Sequence, residues 1–175
     1  MSKRGNALRT PDSVVRFEQL QRLLDDLGDA NVESPIVVEG LKDERALRQL
    51  GLTGTIVRLK TRSTIFAVCE EIARTARRAI VLTDWDAAGA RHSRALVNGL
   101  RANGAAPNVD FRRAIAHLVR AEIHQVESLP ALVDRLRQKA EEELERRERG
   151  AQMDAWPKGR IMRAKSRNRR TQNTR

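Results

Sequence analysis

Three carboxylates in a strongly basic chain are the residues best suited to chemistry. Asp84 and Asp86 flank Trp85 in IVLTDWDAAG (80–89), at the end of the apolar run Ala79-Ile80-Val81-Leu82. Glu39 closes another apolar run, in PIVVEG (35–40). Residues two apart on an extended chain point the same way, so Asp84 and Asp86 share one side if the extension persists through Trp85. Two ionised carboxylates about 4 Å apart repel by roughly 4 kcal/mol at an effective dielectric near 20. A proton or a cation must relieve that repulsion. No lysine lies between the apolar run and the next helical stretch, so a divalent metal is expected, and hard oxygen donors favour Mg²⁺ or Mn²⁺. Gly40 and Gly89 let backbone come close after each motif, and amides at a helix start can hold phosphate oxygens. Asp86 can equally cap the following helix while Asp84 stays a solvated acid; capping and metal binding are compatible across the pair.

These residues need elements to position them. Pro11-Asp12-Ser13 opens a helix that carries Phe17, Leu20, Leu24 and Leu27 on one face until Gly28. Short apolar strands are expected at 35–38, 55–59 and 79–83, with a weaker one at 108–111 and a last one at 122–126. Helices are expected between them: from Asp43, as cap, to Leu50; from a Ser63 cap over 64–78; over 87–103; and over 112–120. Ser128-Leu129-Pro130 starts a long charged helix to about Arg149. Alternating apolar strands and helices predict an α/β fold, a three-layer sandwich around a short, mainly parallel sheet, with added N- and C-terminal helices. In such sheets the site forms beyond the carboxyl ends of the strands, which is where Glu39, Asp84 and Asp86 fall.

The two motifs together, VVEGLKDERAL and then LTDWDAAG some 40 residues on, resemble the Toprim domain shared by topoisomerases, bacterial primases and small RNA-maturing nucleases. The resemblance covers about residues 33–127. It implies a Rossmann-like fold, Glu39 as general acid or base and a further metal contact, and Asp84 and Asp86 as Mg²⁺ ligands. Ala88 stands where topoisomerases carry another acid, and the chain has no tyrosine, so a tyrosyl-DNA intermediate is excluded. DWDAAGARHSRAL is closer to the primase version, but a primase also needs a template-binding zinc domain. What the resemblance leaves is the short stand-alone Toprim protein of archaeal type and the nuclease that matures 5S ribosomal RNA.

The charge, +11 overall, is unevenly placed. Residues 156–175 hold eight Lys or Arg and no acid, and removing them leaves +3. The expected organisation is a disordered basic segment 1–11, one domain over 12–149 and a basic tail 150–175. A tail of one sign suits a polyphosphate, so the expected partner is nucleic acid, RNA ahead of DNA, with ribosomal RNA or the ribosome in view. Candidate phosphate contacts are Lys42, Lys60, Arg91 and Arg94 near the acids, and Lys158, Arg160, Arg163, Lys165, Arg167, Arg169 and Arg170 in the tail. Aromatic content of 3% argues against a stacking platform. His92, His117 and His124 lack metal-ligand spacing and read as surface or packing residues. Glu127 is either a fourth carboxylate or a first-turn acid beside Ser128. Cys69 falls on an apolar stripe and reads as a buried thiol. With no apolar span and no hydrophobic leader in MSKRGNALRTPDS, a cytoplasmic protein with no membrane partner is expected. Two functions fit: a Mg²⁺-dependent nuclease for structured RNA, or an RNA-binding, ribosome-associated module that keeps the metal pocket without catalysis.

Overall fold

A computed structural model describes residues 13–61 and 64–155. Four short strands, β1 (Ile36–Val38), β2 (Ile56–Arg58), β3 (Arg78–Val81) and β4 (Ala106–Asn108), form one sheet in the order β2-β1-β3-β4. Every pairing is parallel; Ile36 stands opposite both Ile56 and Ile80. The helices are α1 (Ser13–Glu33), α2 (Leu41–Gln49), α3 (Ile65–Thr75), α4 (Ala87–Ala102), α5 (Asp110–Val119) and α6 (Leu129–Ala155). This is the three-layer α/β fold that the alternation predicts. Among the described residues no helix is long and apolar enough to cross a membrane.

The central strands are apolar on both sides because both faces are covered. Ile36, Val38, Ile80 and Leu82 point into one core, with Leu20, Leu24 and Leu27 of α1, Leu47 of α2, Ile115 of α5 and Leu132 of α6. Val37, Ala79 and Val81 point into the other, with Val68, Cys69 and Ile72 of α3 and Leu96 and Leu100 of α4. The alternation is the strand's own two-residue period. It also means that α2, which follows β1, and α4, which follows β3, lie on opposite faces. The chain therefore parts at the carboxyl ends of β1 and β3, and an open crevice forms there.

Several boundaries differ from the sequence reading. The first helix runs on past Gly28 to Glu33, where Asn31 is buried and its Nδ2 donates to the carbonyls of Ser34 (3.2 Å) and Thr55 (3.0 Å). The fourth strand is Ala106–Asn108 and ends where Asn108 Oδ1 accepts from the Asp110 amide at 2.8 Å, opening α5. The stretch 122–126 is not a strand: a 3-10 turn, Val126–Ser128, leads into α6. Thr64 caps α3, accepting from the Ala67 amide at 3.1 Å, while Ser63 lies outside the described residues. The basic segment 1–11 lies outside them too.

Helices α3 and α4 touch most closely where Gly99 faces Cys69, which is fully buried. A Cβ on Gly99 would stand 2.7 Å from the thiol sulfur. Gly99→Ala should destabilise the fold by about 1–2 kcal/mol, because the overlap outweighs alanine's helix preference. With Cys69→Ala already in place, the cost should shrink, since only the 3.3 Å approach to the Cβ at position 69 remains. Urea unfolding of the four proteins measures this, and equal effects in both backgrounds would remove the contact as the cause.

Candidate functional site

The crevice between the ends of β1 and β3 holds the acids. Glu39 is the first residue after β1 and is buried. Its Oε1 accepts from the Asp84 amide at 3.3 Å, and its Oε2 lies 3.2 Å from His92 Nδ1 on α4. That nitrogen is buried and makes no aligned hydrogen bond, so the contact is one of proximity. Asp84 is buried too, with Oδ1 accepting from the Val126 amide at 2.9 Å. Burial, helped by the charges of Asp43, Glu39 and Asp86, pushes its carboxyl up to about 6 against the effect of that hydrogen bond. Asp86 is exposed and caps α4, its Oδ1 accepting from the Gly89 amide at 2.7 Å.

The turn joining β3 to α4 is held by contacts that only a small residue permits. A Cβ on Gly89 would sit 2.1 Å from the Asp84 carbonyl oxygen. Thr83, fully buried, donates its hydroxyl to the Gly89 carbonyl at 2.8 Å. Arg112 of α5 donates to the Thr83 carbonyl (3.0 Å) and to the Asp84 carbonyl. Its guanidinium is half-buried, and desolvation lowers its pKa despite the acids nearby. Trp85 packs against the first core, donates its ring N–H to the Arg112 carbonyl at 3.0 Å, and its amide bonds to the His124 carbonyl.

Asp43 and Glu127 enlarge the cluster. Asp43 Oδ2 accepts from the Gly40 amide at 2.8 Å, a cap turned inward, and Asp43 is buried. Its carboxyl is raised by burial and by Glu39 and Glu127, with Lys60 and the Gly40 bond opposing. Glu127 lies 3.5 Å from Lys42 Nζ. Lys60 is exposed; its amide bonds to the Glu39 carbonyl at 3.1 Å, and its Nζ would be 3.9 Å from a Cβ on Gly40. So Lys42 and Lys60 border the acids. Arg91 and Arg94 are exposed on α4, and Arg94 turns toward a cavity beside α5. The tail residues Lys158, Arg160, Arg163, Lys165, Arg167, Arg169 and Arg170 lie outside the described residues.

Sequence reasoning gave His92 only a surface or packing role and passed over Arg112. His92 sits six residues after Asp86, where helical periodicity returns the chain toward Glu39; that spacing was the available signal. Arg112 carries no local signal, since its role is set by the packing of α5 across the sheet end.

Among the described residues, no three of these acids and histidines already stand as a metal-ligand set. The fit to a divalent cation rests on donor chemistry: the carboxylates are hard oxygen donors, and Asp84, shifted upward first by burial and then by the neighbouring acids, is a group whose charged form a cation would favour.

No protein-family model matches the chain. Curated relatives do. A UPF0292 protein of Methanosarcina barkeri is 33% identical over 71% of this chain and 87% of its own length. One of Archaeoglobus fulgidus is 38% identical over 58% and 77%, and one of Methanocaldococcus jannaschii 30% identical over 68% and 93%. A solved structure, a putative protein from Aquifex aeolicus, superposes with TM-score 0.54 over 62% of this chain and 96% of that one, at 24% identity. That likeness bears on the fold alone.

The Asp84 shift has a consequence for stability. A carboxyl that titrates near 6 folded and near 3.8 unfolded holds its proton more tightly in the folded state. Its contribution to stability is therefore lost as pH rises from about 4 to about 6, and stays lost above. Asp84→Asn keeps an acceptor for the Val126 amide and removes the charge. In chelator, the variant should exceed the parent by about 1–3 kcal/mol at pH 7–8, with the gap closing below pH 4. Thermal unfolding across that range decides it; parallel curves would show that Asp84 is not a strained acid.

Proposed function

The chain belongs to the UPF0292 family, and we propose that it is a Mg²⁺-dependent phosphodiesterase of the Toprim kind, cleaving structured RNA in the cytoplasm. The observation that carries the reading is the meeting of Glu39, just after β1, with Asp84, just beyond β3, where α2 and α4 diverge, with Asp86 two residues further on. The sequence resemblance adds to it: the same residues are the ones the Toprim pattern would use.

Glu39, Asp84 and Asp86 would hold the metal. When bound, it would supply charge to offset that developing on the phosphate oxygens during in-line attack. Glu39 is fixed by the Asp84 amide on one oxygen, which leaves the other, beside His92, to exchange a proton. It takes a proton from the attacking water or gives one to the leaving oxygen; His92, half exposed, offers a path for that proton to solvent. Lys60 and Lys42 flank the acids and bring positive charge to the substrate phosphate. Arg112 and Gly89 act on the chain itself. They keep Thr83 and Asp84 from relaxing away from β1.

A reading as a ribosome-associated RNA-binding module has one observation in its favour, the want of a ready-made ligand set among the described residues. The two readings part at Glu39. Glu39→Gln keeps the shape and removes the ionisable group, so single-turnover cleavage of total RNA in Mg²⁺ should fall by roughly 10²–10⁴-fold. Filter binding of the same RNA in chelator should be unchanged or slightly tighter. Wild-type protein that binds RNA but never cleaves it, with or without Mg²⁺ or Mn²⁺, would leave the binding module as the function.

A further inference from the structure

A second charged concavity adjoins the acid site. It has a volume of about 440 Å³ and runs between α4 and the segment 107–113, beside the edge strand β4. One face of α4 lines it from Ala90 to Arg101, a rise of about 16 Å at 1.5 Å per residue. Four arginines, Arg94, Arg101, Arg112 and Arg113, line it, and no carboxylate does. Ser93 and Asn98 add neutral polar groups. Arg94, Arg101 and Arg113 are exposed, and the ion pair of Arg113 with Asp110, at 3.6 Å between well-exposed side chains, is weak. Arginines scattered on a surface are ordinary solvated charges. Four of one sign around a concavity focus the field and draw an anion.

Its placement says which anion. Arg112 faces the cavity while its guanidinium bonds to the Thr83 and Asp84 carbonyls. The cavity therefore abuts, through Arg112, the turn that carries Asp84, and leads away from it along α4, with none of the site acids in its lining. A single phosphate would need one or two of these groups; the length and the spread of charge suit several phosphates in succession. We infer that the cavity between α4 and α5 is a backbone track, holding consecutive phosphates of a single-stranded RNA segment whose neighbouring phosphodiester lies at the acid site. That the track leads to a cleavable bond rests on the phosphodiesterase reading; its hold on phosphates does not. The contacts are to phosphate, so they set register and affinity rather than sequence.

The test is the salt dependence of binding by the full chain, in chelator so that no cleavage intervenes. Arg94→Ala with Arg101→Ala should flatten the slope of log affinity against log salt by about 1.4, at roughly 0.7 per phosphate on a single strand. Affinity at 0.1 M salt should fall roughly tenfold or more. Arg94→Lys with Arg101→Lys should restore the slope. The control pair Arg77→Ala and Arg120→Ala removes the same charge from exposed positions outside the cavity and should change the slope by much less. A single-stranded DNA of the same sequence should behave as the RNA does. Equal slopes for the cavity pair and the control pair would overturn the track. So would a loss confined to RNA, which points to the 2′-hydroxyl, or displacement of RNA from the cavity by a free nucleoside triphosphate. Cleavage is scored separately. A protein that never cleaves but shows the slope change keeps the track and loses the nuclease; one that cleaves through Glu39 with an unchanged slope keeps the nuclease and loses the track.

Discussion

Carboxylates gathered in one half-buried crevice repel one another, and the polar contacts at the carboxyl edge of the sheet answer that repulsion. The amide of Asp84 turns to Glu39, the amide of Val126 to Asp84, the amide of Gly40 to Asp43 and the amide of Gly89 to Asp86. These four acids each accept a backbone N–H; Glu127, beside them, instead meets the Lys42 ammonium. A backbone dipole lowers the cost of a buried charge without cancelling the charge, so the site keeps its negative potential. Asp84 remains the most strained of the set, as its upward shift records. Lys42 and Lys60 border this centre, and the guanidinium of Arg112 enters the joint between strand and helix.

The sheet makes that centre by topology. The order β2-β1-β3-β4 sends α2 and α4 to opposite faces, and the gap between their starts is where Glu39 meets Asp84. The apolar period of the strands and the breaks at Gly51 and Asn103-Gly104 made this much legible from the sequence alone: the first three strands in alternation with helices, and acids beyond the ends of the first and third. Gly51 and Gly104 indeed take positive φ, 92° and 83°.

What was not legible depends on contacts distant in sequence. The run 122–126 has a strand's composition, but Val126 is fully buried under α6 and its amide goes to Asp84, so no sheet edge is there for it to join. The fourth strand was sought after Asn108 because Val109 and Phe111 are apolar; instead the Asn108 side chain accepts from the Asp110 amide and opens α5, and those apolar residues pack at the start of that helix. Asp43 reads as the residue that caps α2 from outside, but Gly40 holds that position; Asp43 lies in the first turn and reaches back to the Gly40 amide, and this inward turn makes it part of the acid cluster. Position 31 reads as loop, but an asparagine buried against Gly54, where a Cβ would lie 2.1 Å from the Asn31 carbonyl oxygen, extends α1 by most of two turns.

Trp85 has a further use. Trp85 lies between two site acids in the chain, and its indole is anchored to the Arg112 carbonyl and packed on the core. The chain has two tryptophans and no tyrosine, so replacing Trp156 with phenylalanine would leave one strong fluorophore, built into the hinge between strand and helix. Its emission then becomes an optical gauge of that hinge: whatever shifts the charge or the backbone on either side of the ring is written directly into the spectrum, without a label.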